Sequence, residues 1–149
     1  MNPDSPTRIA IDHDDYHAEH VGRTADGRQF FLTYPFEPAR NGSPGDEFNA
    51  LYLFDSTGEF ISAQIESFGP RGSFDAQAKA QAYRRLLDGL GPVTFQRIEV
   101  APFEVERFGR TFGLIGRDCE DPDDVLAVEA QPGNYMAFFA PWDSGVYDT

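Results

Sequence analysis

Cysteine is nearly missing. Cys119 is the only one in 149 residues, so no intramolecular disulfide can form, which suits a reducing compartment. Lysine is as scarce: Lys79 stands alone beside eleven arginines, which leaves few amines for modification or Schiff-base chemistry. Positive charge is short overall, with 12 basic residues against 25 acidic ones and a formal charge of −13. A nucleic-acid binder displaces counterions with a basic surface, so that class is not expected. Long apolar runs are also missing. A membrane-crossing helix takes about 20 consecutive apolar residues, and no such stretch occurs, so no membrane association is expected. The opening Met1-Asn2-Pro3-Asp4-Ser5-Pro6-Thr7 has no basic segment followed by an apolar one. A secretory signal is therefore not expected, and a cytoplasmic location is.

Hydrophobic residues make up 40% of the chain and aromatics 14%, which separates it from disordered acidic tails. A chain of this length buries roughly 70% of its unfolded surface and can fold without a staple. We read one acidic domain over residues 1–149, with 1–6 as a loose amino-terminal tail.

Turn chemistry divides the chain into hairpins. Glu19 to Thr24 and Gln29 to Tyr34 flank Ala25-Asp26-Gly27-Arg28, and Asp-Gly is a strong tight-turn signal. Phe48 to Phe54 and Glu59 to Phe68 flank Asp55-Ser56-Thr57-Gly58. Alternation puts Ala50, Tyr52 and Phe54 on one face of the first arm and Leu51 and Leu53 on the other. Arg8 to Ile11, Val93 to Val100, Glu104 to Phe108 and Thr111 to Ile115 read as further strands, with Gly109-Arg110 as the last turn. Val125 to Ala130 and Tyr135 to Phe139 flank Gln131-Pro132-Gly133-Asn134. One stretch has helical period. From Phe74 to Leu90, the residues Ala76, Ala80, Tyr83, Leu87 and Leu90 form an apolar stripe, capped by Ser73 or Asp75 and stopped by Gly89, Gly91 and Pro92. The expected fold class is α+β, a mainly antiparallel sheet of hairpins with this one long helix on one face.

Chemistry-bearing patterns are few. His13, His17 and His20 all lie within the acidic stretch Asp12 to His20. Imidazoles beside carboxylates are a candidate site for zinc or another divalent metal, and equally a solvated acidic loop. Asp118-Cys119-Glu120-Asp121-Pro122-Asp123-Asp124 is dense in carboxylates but breaks the EF-hand pattern, which needs glycine at the sixth position. Those same acids disfavour a Cys119 thiolate. No Gly-x-Ser-x-Gly elbow, dinucleotide fingerprint or P-loop is present. No catalytic residue and no cofactor is therefore assigned. Near the carboxyl end, Trp142 and Tyr147 are large aromatics in a region that is ordinarily polar. They read either as a cover over the core or as interface anchors.

Three stretches carry a family resemblance. One is Asp15-Tyr16-His17 with Gly22-Arg23, Asp26-Gly27 and Gln29-Phe30. Another is Leu90-Gly91-Pro92 with Ile98-Glu99-Val100, Phe103 and Thr111-Phe112-Gly113-Leu114. The third is Pro141-Trp142-Asp143 with Gly145 and Tyr147-Asp148-Thr149. In these the chain resembles the small bacterial formate hydrogenlyase regulatory proteins, the HycA-like family. The resemblance implies a bacterial regulator acting through protein contacts. His17, Arg23, Trp142, Asp143 and Tyr147 match its motifs and are the interaction residues it implies. The expected function is thus a non-catalytic, cytoplasmic regulatory protein with another protein, basic in character, as partner. The alternatives are an acidic immunity-type inhibitor of a basic toxin and a metal-dependent enzyme built on His13, His17 and His20. A small-ligand binder is a fourth.

Overall fold

The long central hairpin starts from one carboxylate. Asp55 Oδ1 accepts from the Thr57 amide at 2.9 Å, the Thr57 hydroxyl at 2.6 Å and the Glu59 amide at 3.0 Å. The side chain thereby closes the turn over Gly58, whose φ of 97° suits glycine. These bonds hold the Asp55 carboxyl below its usual range, the Thr57 hydroxyl contributing most.

The chain was analysed as a computed structural model, which describes residues 6–14, 18–39, 42, 44–116, 127–133, 136–139 and 142. Its strands are β1 (Ile9–Ile11), β2 (His20–Thr24), β3 (Gln29–Thr33), β4 (Phe36–Glu37), β5 (Asp46–Phe54) and β6 (Phe60–Pro70). The helix α1 (Ala76–Asp88) follows, then β7 (Val93–Phe95), β8 (Ile98–Val100), β9 (Phe103–Arg107), β10 (Arg110–Gly116), β11 (Ala127–Gln131) and β12 (Ala137–Phe139). All pairings are antiparallel. The largest sheet has six strands. β5 takes β6 on one side and β3 and β4 on the other, and β2 and then β7 continue from β3. β9 to β12 form a four-stranded meander, and β1 pairs with β8.

The three sheets share one core. Phe48, Ala50, Tyr52 and Phe54 of β5 meet Phe112 and Leu114 of β10, Val128 and Ala130 of β11, Phe138 of β12, and Ile9, Ile11, Ile98 and Val100 of the β1/β8 ribbon. Each fully buried phenylalanine there contributes about 1.5–3 kcal/mol by leaving water. The other face of β5 turns Leu51 and Leu53 into a second cluster with Phe30 and Leu32, covered by Tyr83, Leu86 and Leu87 of α1.

The structure corrects the expected fold class. Strands make up 52% of the described residues and the helix 11%, so the protein is mainly β, not α+β. The helix expected from Phe74 to Leu90 is 13 residues long. Its start is set by Asp75, whose side chain accepts from the Ala78 amide at 3.0 Å. Its end is set by Gly89, whose amide returns to the Arg85 carbonyl at 3.0 Å. Such a helix covers one patch of the sheet and does not make a layer. Two strand boundaries also move. Val93 to Val100 is not one strand: β7 joins β2 and β8 joins β1. The β9–β10 turn is Phe108-Gly109, with φ of 54° and 71°, not Gly109-Arg110. A two-residue hairpin of this hand needs positive φ at both positions, and Phe108 adopts it.

Arg110 ties two sheets together. Its guanidinium pairs with Glu37 of β4 and Asp46 of β5, donates to the Phe108 carbonyl at 2.8 Å, and lies 5.6 Å from the Phe48 ring centroid. The three charged side chains are 22–34% exposed. Their geometry therefore lies between a surface pair and a buried one. Arg110→Ala is expected to cost roughly 1–3 kcal/mol in urea denaturation, as it strands two half-buried carboxylates. Arg8→Ala, which breaks the more exposed pair to Glu59, is expected to cost under about 1 kcal/mol.

Candidate functional site

A cleft of about 460 Å³ opens between α1 and the six-stranded sheet. Its origin is local. The apolar stripe of α1 begins with Ala76 and Ala80, which are exposed and too small to fill the space against the sheet. Phe74 and Leu87 bracket them, and Tyr34 and Tyr83 supply aromatic walls. The polar groups converge from two strands and the helix: Glu19 and His20 at the start of β2, Asn49 on β5, and Lys79 and Arg84 on α1.

Asn49 holds the helix down. It is fully buried, and its Nδ2 donates to the Lys79 carbonyl at 3.0 Å. Its Oδ1 is shut off from solvent and accepts no hydrogen bond. Lys79 is half-buried, with its ammonium 5.3 Å from the Tyr34 ring centroid. Burial lowers its pKa below the usual lysine value, and the nearby Glu47 carboxylate works against that. Neither Asn49 nor Lys79 carried a sequence motif. The signals that could have found them are a lone amide within the apolar run Phe48 to Phe54 and the only lysine of the chain.

His13 and His20 come together on one aromatic ring. His13 stacks on Phe95 with centroids 5.6 Å apart and planes 7° apart, and its Nε2 lies 2.9 Å from the Glu19 carbonyl. His20 meets the same Phe95 edge-on at 5.5 Å, and its Nδ1 lies 2.6 Å from the Tyr83 hydroxyl. Tyr83 in turn donates to the Leu32 carbonyl at 3.3 Å. Phe95 reaches this position because β7 runs tight against Gly22, where an added Cβ would lie 1.9 Å from the Thr94 carbonyl oxygen. His17 lies outside the described residues. Among the described residues no group of three His, Cys, Asp or Glu side chains is placed to hold a metal ion.

The remaining sequence candidates are dispersed. Arg23 borders a separate hollow of about 270 Å³ with Gln29, Thr57, Arg97 and Glu99, and donates to the Gly27 carbonyl at 3.1 Å. Trp142 packs against the main core, and its carbonyl accepts from the Ala10 amide at 2.9 Å. Trp142 is thus docked on the body of the protein and remains partly exposed. Asp143 and Tyr147 lie outside the described residues, as do Cys119 and the acidic run around it. No helix among the described residues is long and apolar enough to cross a membrane.

No family model, curated protein or solved structure matches this chain. The resemblance to the HycA-like regulators thus rests on the quoted motifs alone.

His20 gives this site a pH signature. Burial lowers its pKa from the ordinary 6.5; Glu19 opposes that shift, and His13 and Arg84 add to it. The unfolded chain then takes up the proton more readily. The contribution of neutral His20 to stability is complete above pH 6.5 and is lost as pH falls below that value towards the folded pKa. Urea midpoints measured at about pH 7.5 and about pH 5.5 should fall in the wild type, and fall less in His20→Gln. Equal falls would show that His20 does not titrate differently in the fold.

Proposed function

We propose that the chain is a non-catalytic regulatory protein that binds a basic protein segment along the outer edge of β6. The observation that carries this reading is the edge itself. β6 runs for 11 residues and, among the described residues, pairs only with β5. An open edge of that length offers a row of backbone donors and acceptors to an incoming strand. Natural edges are usually blunted by lysine, inner proline or brevity. β6 has no basic residue, and its single proline is the terminal Pro70. Ile61 is 49% exposed on it.

Charge selects the partner. At −13 the chain repels a second copy of itself and attracts a basic segment. Around the edge, Glu59 precedes β6, Glu66 lies within it, and Glu104 and Glu106 are exposed on β9, whose Phe103 stacks on Phe60 at 4.6 Å. The resemblance to regulatory proteins agrees with this reading. The immunity-type alternative differs only in its partner, a basic toxin.

Extended peptides of alternating Arg and Val are expected to bind and to slow hydrogen exchange in β6, whereas Glu and Val counterparts are not. Raising salt from about 0.05 M to about 0.5 M should weaken that binding at least about tenfold. Ile61→Lys, a change at an exposed position, should leave the fold intact and cost a similar factor. Charge-blind binding, or protection confined to another strand, would defeat the reading.

A further inference from the structure

The cleft under α1 is not used by the β6 edge, and its chemistry points to a second ligand. We propose that this cleft binds a small organic carboxylate with an apolar body, the carboxylate seated at Lys79 and the body between Tyr34, Phe74, Tyr83 and Leu87.

Size and lining come first. About 460 Å³ lies within the roughly 300–1,000 Å³ of small-molecule sites, which are mostly apolar with a few placed polar groups. The space follows from Ala76 and Ala80: larger residues on that stripe would fill it. The walls are aromatic and aliphatic, which suits a ring or short hydrocarbon more than a bare inorganic anion.

Charge comes next. The chain carries −13, yet the cleft is lined by Lys79 and Arg84 against Glu19 alone. A local cationic balance in so acidic a protein favours anions here. Lys79 is the only lysine of the chain, and its ammonium is held over the Tyr34 ring and not out in water. Its burial disfavours the charged form, so an anion at Lys79 gains a partner that solvent does not fully supply. A cationic ligand would meet both cations, with Glu19 in the lining and Glu47 near Lys79 in its favour.

Asn49 is the independent observation. It is fully buried, lines the cleft, and uses its Nδ2 on the Lys79 carbonyl. Its Oδ1 is an acceptor without a hydrogen bond. Buried polar atoms are ordinarily satisfied, so an orphan acceptor beside a cleft is what a ligand donor would complete. A carboxylate that also carries a hydroxyl, such as a hydroxy acid, supplies both groups.

The experiment is titration of the full chain, followed by NMR and calorimetry, with phenylacetate, mandelate, phenylacetamide and phenethylamine. The two carboxylates should shift resonances of Lys79, Tyr34 and Tyr83 and bind at least about tenfold more tightly than the amide and the amine. Mandelate, which has the hydroxyl, should bind more tightly than phenylacetate. Lys79→Met should abolish the preference for carboxylate over amide, and Lys79→Arg should restore part of it. If Lys79→Met fails to fold, Ala80→Trp, at an exposed position, fills the cleft and should abolish binding. The proposal is overturned if the amide binds as well as the carboxylates, if Ala80→Trp leaves binding unchanged, or if no cleft resonance moves at about 10 mM ligand.

Discussion

The structure depends on β5 being apolar on both faces. Its even residues, Phe48, Ala50, Tyr52 and Phe54, enter the core shared by three sheets, while Leu51 and Leu53 face the other way. A strand buried on two sides must be covered on two sides, and a slip of one residue would exchange the faces. The first cover is the β9–β12 meander with the β1/β8 ribbon. The second is α1, which is too short to cover the whole face. The cleft is the part of that face which the helix leaves open, and Asn49, a buried polar residue of β5, sits where helix and cleft meet.

The two working surfaces follow from this arrangement and lie on different parts of the same sheet. The β6 edge is open because β5 has β3 and β4 on its other side and nothing among the described residues continues beyond β6. Glu66 lies within it, and the exposed Glu104 and Glu106 are on β9. The cleft reverses that sign locally through Lys79 and Arg84. On the readings proposed above, the strand edge would meet a basic segment and the cleft a small acid.

Much of this was legible in the residues. The Asp26-Gly27 and Thr57-Gly58 turns, the alternation of β5 and the apolar stripe of α1 are short-range signals, and each produced the element it announces. The fold class was not legible, because the one strongly periodic stretch outweighs strands of three residues, which carry no measurable period. β7 and β8 are such strands, and only their partners in different sheets separate them. The β9–β10 turn was misplaced by one residue because Phe108, not a residue type that favours positive φ, takes that conformation. For the site, the crowding of His13 and His20 was visible, but its centre, Phe95, comes from a strand 82 and 75 residues away from them and could not be read locally. Ala76 and Ala80 belong to the apolar stripe and are nevertheless exposed, since spacing shows which face a residue lies on and not whether the opposing surface reaches it. Trp142 was visible as a docked aromatic, and its contacts lie in the core.

The central claim is that β6 is locked on its inner edge and open on its outer one. Between Ser62 and Ser67 its register with β5 is regular, so alternate amides point towards β5 and away from it. Residue-resolved hydrogen exchange of the free protein tests this directly. The account predicts an alternation along Ser62 to Ser67, with every second amide strongly protected and the others exchanging fast. Uniform protection of all six would mean that something already covers the edge, and would contradict the account.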